Sequence, residues 1–407
     1  MTQKMNRWQV LIGSTVILLC TGAIYAFSVF AGPLSVANHW SMPDIMMAFT
    51  INSAVAPIPM ILGGFFTDRG LAKWSITAGG IMFGLGFFLS GMATSPSMLY
   101  LTYGLLAGIG QGLAYSGCLS NTIKLFPDKK GLAAGIITAG MGGAAIIAAP
   151  IANALIQSHD VTFAFRTLGI AYMVIVVLAS LLIKSAPTPA VAIPSAPANG
   201  GAPVVGPAMV NKNWADMLKT PIFYIIFFMM FTGAFSGLMI AANASVIGQQ
   251  MFALSPTAAA FYVSLYSLSN CLGRVIWGTV SDKLGRNNTL YIILSAIILA
   301  LVLLVNLSSV AGFAISIIIL GICFGGVMGV YPPLVMENYG PINQGVNYGI
   351  VFCGYSVAAF FGPKIAVSIA KSNQGDFSKA FYVAIAVAVV GLVLNFVYQK
   401  MKNVAQN

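Results

Sequence analysis

Gly64-Phe65-Phe66-Thr67-Asp68-Arg69-Gly70 and Gly278-Thr279-Val280-Ser281-Asp282-Lys283-Leu284-Gly285-Arg286 carry one pattern: a glycine, three residues, an aspartate, a cation. Gly64 to Gly278 is an interval of 214 residues, and so is Asp68 to Asp282. The interval recurs elsewhere: Gly131 and Gly135 stand 214 residues before Gly345 and Gly349, and Gly112 the same distance before Gly326. One offset kept at three separate places marks an internal duplication, so the chain reads as two related halves.

Composition says where those halves live. Of 407 residues, 58% are hydrophobic and 7% charged, whereas a soluble domain carries about 25% charged residues. So few charges cannot build a water-facing surface of this size, and most of the surface must face lipid. Apolar spacing gives twelve stretches, each long enough to cross a ~30 Å hydrocarbon core. They are 8–31, 44–66, 74–94, 97–122, 131–156 and 163–184, then 221–249, 257–279, 288–308, 310–335, 346–370 and 378–400. The first is too long for a signal-peptide core and lacks a small-residue cleavage site, so it is expected to be retained. The fold class expected is all-α, a membrane protein of twelve transmembrane helices in two six-helix pseudo-repeats. Between the halves, 185–213 is rich in Pro, Ala and Gly, with Pro187, Pro189, Pro194, Pro197, Pro203 and Pro207, a composition that builds neither a span nor a packed core. The expected domains are a bundle at 1–184, a connector at 185–218 and a second bundle at 219–407.

The net charge of +11 would suggest nucleic acid in a soluble protein. Here position explains it. With span ends alternating sides, one side collects Lys4, Arg7, Arg69, Lys73, Lys124, Lys129, Lys130, Lys184, Lys212, Lys219, Lys283, Arg286, Lys400 and Lys402. The other collects Arg166, Lys371 and Lys379. This is the positive-inside bias, with both termini in the cytoplasm and the chain in the cell (inner or plasma) membrane. Cys20, Cys118, Cys271, Cys323 and Cys353 all fall inside spans without metal-ligand spacing, and His39 and His159 are far apart. No metal, cofactor or nucleic-acid partner is expected, and the expected state is monomeric.

The glycine–aspartate–cation pattern resembles the signature loop of the major facilitator superfamily. Its second copy is complete; in the first, Gly70-Leu71-Ala72-Lys73 has lost the terminal Gly-Arg. Just past helix ends, Asp68 and Asp282 can reach cations and helix N-termini. The resemblance implies that Asp68, Arg69, Asp282, Lys283 and Arg286 latch the cytoplasmic side shut. Two tandem six-helix halves imply a substrate site between them near mid-membrane, with alternating access.

Charges inside the spans are Arg274 and Lys364. An intramembrane charge needs a partner or an aqueous cavity. Arg274 lies eight residues before Asp282, on the order of 12 Å deep, whereas Lys364 is near enough to an outer end to snorkel. No Asp or Glu falls mid-span, so the counter-charge of Arg274 is most simply a substrate carboxylate, which a guanidinium grips bidentately. Tyr262, Tyr266, Asn270 and Arg274 recur every four residues, a stripe too polar for lipid. Tyr25, Tyr115, Tyr331 and Tyr355 are further cavity candidates, each able to donate one hydrogen bond.

Gly22-Ala23-Ile24-Tyr25-Ala26-Phe27-Ser28, Phe126-Pro127-Asp128-Lys129-Lys130-Gly131-Leu132-Ala133-Ala134-Gly135, Asn270-Cys271-Leu272-Gly273-Arg274 and Asn347-Tyr348-Gly349 resemble the oxalate–formate antiporter family, related to the monocarboxylate transporters. The resemblance implies that Arg274 binds carboxylate with Tyr25 and Tyr115 nearby. It also exposes two departures: Tyr355 stands where the oxalate carrier has a second cation, a Lys. Asn270 stands where animal monocarboxylate transporters have an Asp. The expected function is therefore secondary active transport of a small organic anion, a monocarboxylate such as lactate, pyruvate or formate, by anion exchange or with a co-transported proton. An oxalate–formate type dicarboxylate antiporter and a transport-inactive anion sensor are the alternatives. A cation efflux pump is disfavoured by the lack of intramembrane acids, an ATP-driven pump by the lack of a nucleotide motif, and an enzyme by the lack of a nucleophile–base or metal constellation.

Overall fold

The computed structural model describes residues 6–187, 211–307 and 309–406. Most of the proline-rich connector lies outside these residues, as does Lys4. Among the described residues the chain forms twelve helical rods. In the first half they are α1 (Arg7–Asn38), α2 (42–66), α3 (Ala72–Ser90), α4 (96–125), α5 (Lys130–Ser158) and α6 (Val161–Ser180). In the second half they are α7 (Pro221–Phe252), α8 (Pro256–Leu284), α9 (Arg286–Asn306), α10 (Val310–Tyr339), α11 (Gln344–Ser372) and α12 (Ser378–Gln406). A single turn, Trp214–Leu218, precedes α7.

Several rods outrun their apolar spans. α1 continues to Asn38 rather than residue 31, and α7 to Phe252 rather than 249. Helical hydrogen bonds do not stop at the hydrocarbon edge; capping residues end the helices instead. Ser41, Ser95, Asp160, Ser255 and Ser309 each accept an amide of the first turn that follows. At the motif turns, Gly70 and Gly285 reverse the chain at φ 81°, a conformation costly for other residues.

Packing repeats along with the sequence. α1 lies on α5 and α6 as α7 lies on α11 and α12; α3 lies on α4 and α6 as α9 lies on α10 and α12; α2 lies on α4 as α8 lies on α10. The halves meet through α2 on α11 and, equivalently, α5 on α8. Ile12, Phe228, Phe261, Leu272 and Val393 are exposed, as suits side chains facing lipid. The more polar rods α4 and α8 turn their polar groups inward: Gln111, Ser116, Ser120, Asn121, Ser269, Asn270 and Arg274 are all buried.

Candidate functional site

At the motif end the duplication becomes chemistry. Asp68 accepts the amides of Gly345 and Val346, both at 3.0 Å, at the start of α11. Its repeat partner Asp282 accepts those of Gly131 and Leu132, at 2.8 and 2.9 Å, at the start of α5. Each carboxylate thus caps a helix N-terminus of the opposite half, where the exposed N–H groups favour an anion. The backbones touch: a methyl on Gly64 would run into the Gly345 carbonyl, and one on Gly278 into that of Gly131. The cations differ between the halves. Asp68 pairs with Lys124 Nζ at 2.7 Å. Asp282 pairs with Arg286 at 2.7 Å, and Arg286 also holds Glu337 at 3.0 Å and Ser281. Arg69 instead lies over the Phe65 ring, 3.3 Å from its centre, and Lys283 is exposed. Asp68 and Asp282 therefore make the cross-half contacts, Arg286 braces Asp282 from within its own half, and Arg69 and Lys283 stand outside both arrangements. Joining Asp68, Asp282 and Arg286 are Lys124, Glu337 and the amides of α5 and α11, none of which the signature pattern names.

Deeper in, Arg274 is 8% exposed. Its Nε donates to Asn270 Oδ1 at 2.9 Å, one turn back on α8. Its Nη1 donates to the Thr138 carbonyl at 2.7 Å, on α5 of the other half. No carboxylate pairs with it among the described residues. Of the five N–H donors on a guanidinium, three remain for a ligand. Close helix packing sets this depth: the Arg274 carbonyl lies against Gly135 of α5 and Gly329 of α10.

Several phenols lie near the guanidinium. Tyr25, Tyr115, Tyr266, Tyr348 and Tyr355 all lie within electrostatic reach of Arg274. Tyr25 sits in a 3₁₀ turn, Gly22–Ala26, that breaks α1 where Gly22 packs on Met141 of α5. It is 45% exposed although mid-helix and within electrostatic reach of Arg274, as suits a side chain lining a cleft between the halves. Tyr355 stacks on Phe352 at 4.6 Å between ring centres, and on Phe324 at 6.3 Å. Tyr115 of α4 lies against Phe352 of α11.

The remaining candidates are placed differently. Tyr266 donates to the Gly237 carbonyl at 2.6 Å and is fixed to α7. Tyr262 packs on Phe313 of α10. Residues four apart on a helix drift by about 40°, so the stripe turns away from the cleft over three steps. Tyr331 is buried in the second half near Gly233 of α7, apart from the Arg274 group. Lys364 is exposed, its ammonium 3.6 Å from the centre of the Phe360 ring. Sequence reasoning missed Thr138, whose contribution is a carbonyl, and Tyr348. The Tyr348 hydroxyl is fully buried, beside that of Tyr115; its one sequence signal is the Asn347-Tyr348-Gly349 motif. Among the described residues no cluster of His, Cys, Asp and Glu could hold a metal.

Comparison with known proteins agrees with this architecture. The family model described as Major Facilitator Superfamily matches residues 13–363. An uncharacterized MFS-type transporter, YhjX, of Escherichia coli (strain K12) is 30% identical over 358 residues, 87% of this chain and 86% of the relative. The oxalate:formate antiporter of Oxalobacter formigenes is 27% identical over 402 residues, 97% of this chain and 92% of the relative. The apicoplast pyruvate carrier 1 of Toxoplasma gondii is 26% identical over 343 residues, 71% of this chain and 62% of the relative. Among solved structures, the proton:xylose symporter XylE superposes with a TM-score of 0.73 at 11% identity, covering 96% of this chain and 95% of that one. Matched to that family along most of its length and folded as this member of it is, the chain belongs to the Major Facilitator Superfamily.

Proposed function

We propose that this transporter carries a small organic anion, a monocarboxylate of the lactate, pyruvate or formate kind, between two states that expose the Arg274 cleft alternately to either side of the membrane. The observation that carries this reading is the buried, acid-free guanidinium of Arg274 at the junction of the halves. A cationic substrate would find nothing there to neutralise it. A carboxylate would meet the three remaining N–H donors and the phenols of Tyr25, Tyr115 and Tyr355. Two relatives, an oxalate:formate antiporter and a pyruvate carrier, support an organic anion as the class.

The empty carrier holds the buried Arg274 by Asn270 and by a carbonyl of the other half, with no carboxylate of the described residues beside it. Reorientation breaks that cross-half bond and leaves a buried charge with one partner fewer, which is unfavourable unless an anion travels with it. This favours exchange, or anion–proton co-transport, over net leak of charge. The positive bias of the motif end supports a cytoplasmic placement of that end and of both termini, and with it an outward-facing present state in a cell (inner or plasma) membrane. A monomer with two bundles, 1–184 and 219–407, suffices. The test is counterflow into proteoliposomes against C1 to C4 carboxylates: accelerated exchange with a monocarboxylate supports the reading, and exchange with none of them rejects it.

A further inference from the structure

α5 belongs to the first half, yet it forms one wall around the charge of the second. The Thr138 carbonyl takes Nη1 of Arg274 at 2.7 Å. One turn on, Gly142 leaves the space in which the guanidinium lies: a methyl there would stand 2.9 Å from Cζ, 2.9 Å from Nε and 3.1 Å from Nη2. The guanidinium is thus held on three sides, by Asn270 from its own helix and by a carbonyl and a bare α-carbon from the facing one.

We propose that Gly142, together with the Thr138 carbonyl, positions Arg274 for the anion, so that the binding site is complete only while the seam between α5 and α8 is closed. This rests on the reading of Arg274 as the anion's ligand. Binding and closure are then linked. A ligand that fits the closed seam better stabilises it, and the stabilisation is reciprocal. The carrier therefore holds its anion more tightly in the state described here than in the state open at the motif end, where α5 has withdrawn.

The molecule contains its own reporter of the seam. Cys271, one turn from Arg274 on α8, is half-buried against α5, its thiol 3.5 Å from the Ala139 carbonyl. A methyl on Gly143 would lie 3.0 Å from that sulfur. Opening the seam exposes this thiol. In proteoliposomes with the transported carboxylate on both sides, alkylation of wild-type Cys271 by N-ethylmaleimide, followed peptide by peptide, is expected to slow severalfold at saturating anion. Gly142→Ala pushes the guanidinium out of its seat. Its half-saturation for exchange should rise about tenfold with the maximal rate within about twofold of wild type, a loss of one well-placed charged hydrogen bond rather than of the machinery. The anion concentration that protects Cys271 should rise by the same factor. A Gly142→Ala carrier with wild-type half-saturation, or a wild-type Cys271 indifferent to a carboxylate that is demonstrably exchanged, overturns the proposal and leaves the anion reading intact. Absence of carboxylate exchange by wild type overturns that reading itself.

Discussion

Asp68, in the turn after α2, and Gly345, at the start of α11, join the halves of the molecule: the carboxylate accepts the glycine amide at 3.0 Å and the two backbones meet where Gly64 touches Gly345. Asp282 and Gly131 repeat the arrangement at 2.8 Å. The two locks are unequal in how their cations are backed. Lys124 has one carboxylate, Asp68, whereas Arg286 keeps Glu337 when Asp282 is neutralised. Asp68→Asn should therefore loosen the motif end more than Asp282→Asn. Each loses charge-assisted bonds worth about 1.5–3 kcal/mol, and only the first strands a nearly buried ammonium. Spin-label distances between Trp74 and Leu284, both exposed at this end, should lengthen in the order wild type, Asp282→Asn, Asp68→Asn. The reverse order, or no change in either, would mean the caps do not hold the closure.

The duplication, and through it the fold, was legible because it is written in identities at fixed spacing: glycines where backbones touch, aspartates where amides wait. The twelve rods followed from apolar length, with errors at helix ends, where capping and not hydropathy decides. The candidate site was legible only as side chains. Arg274 stood out because a deep cation is expensive, but Thr138 acts through a backbone carbonyl and Gly142 through an absent side chain, and neither leaves a chemical mark. Tyr262, Tyr266 and Tyr331 looked alike with Tyr25, Tyr115 and Tyr355 because spacing alone does not tell a face turned to the cleft from one turned to α7 or α10. Lys124, counted only as a basic loop residue, needed the fold to bring Asp68 within 2.7 Å.

Arg274 holds Asn270 and Thr138 with different nitrogens at once. Arg274→Ala should abolish carboxylate counterflow while the protein still inserts at normal abundance. Arg274→Lys should be nearly as inactive, because one ammonium cannot reproduce the planar fork. Asn270→Ala should keep the charge but free Nε, raising half-saturation more than it lowers the maximal rate. Counterflow by Arg274→Ala at the wild-type rate would place the anion elsewhere.

The charge bias makes a prediction about sides. A reporter fused after Asn407 should read as cytoplasmic, and so should one inserted near Ala198. Signal from the opposite compartment at either position would overturn the orientation, and with it the assignment of the open cleft to the outer face.

The last prediction concerns valence. Among the described residues, the fixed cation within electrostatic reach of Tyr25, Tyr115 and Tyr355 is Arg274. Lys364 lies nine residues beyond Tyr355 on α11, about 900° of helical rotation and so half a turn out of phase; it is exposed, with its ammonium over Phe360. A monocarboxylate leaves the Arg274 pair neutral when the cleft closes. Oxalate leaves one negative charge uncompensated, at a cost of several kcal/mol, and each ~1.4 kcal/mol is tenfold in affinity. Lactate, pyruvate or formate should thus compete in counterflow far better than oxalate. Tyr355, stacked on Phe352 and Phe324, stands where the resemblance to oxalate carriers implies a lysine. Tyr355→Lys should move preference toward the dianion by at least about tenfold and weaken monocarboxylate exchange, since two cations then face one negative charge. Lys364→Ala, which removes an ammonium on the far side of the helix, should leave both competitions as they are. Strong oxalate competition in wild type that disappears in Lys364→Ala would show that α11 rotates or bends at Pro363 during transport and brings that amine to the site, and the carrier would then be of the dicarboxylate kind.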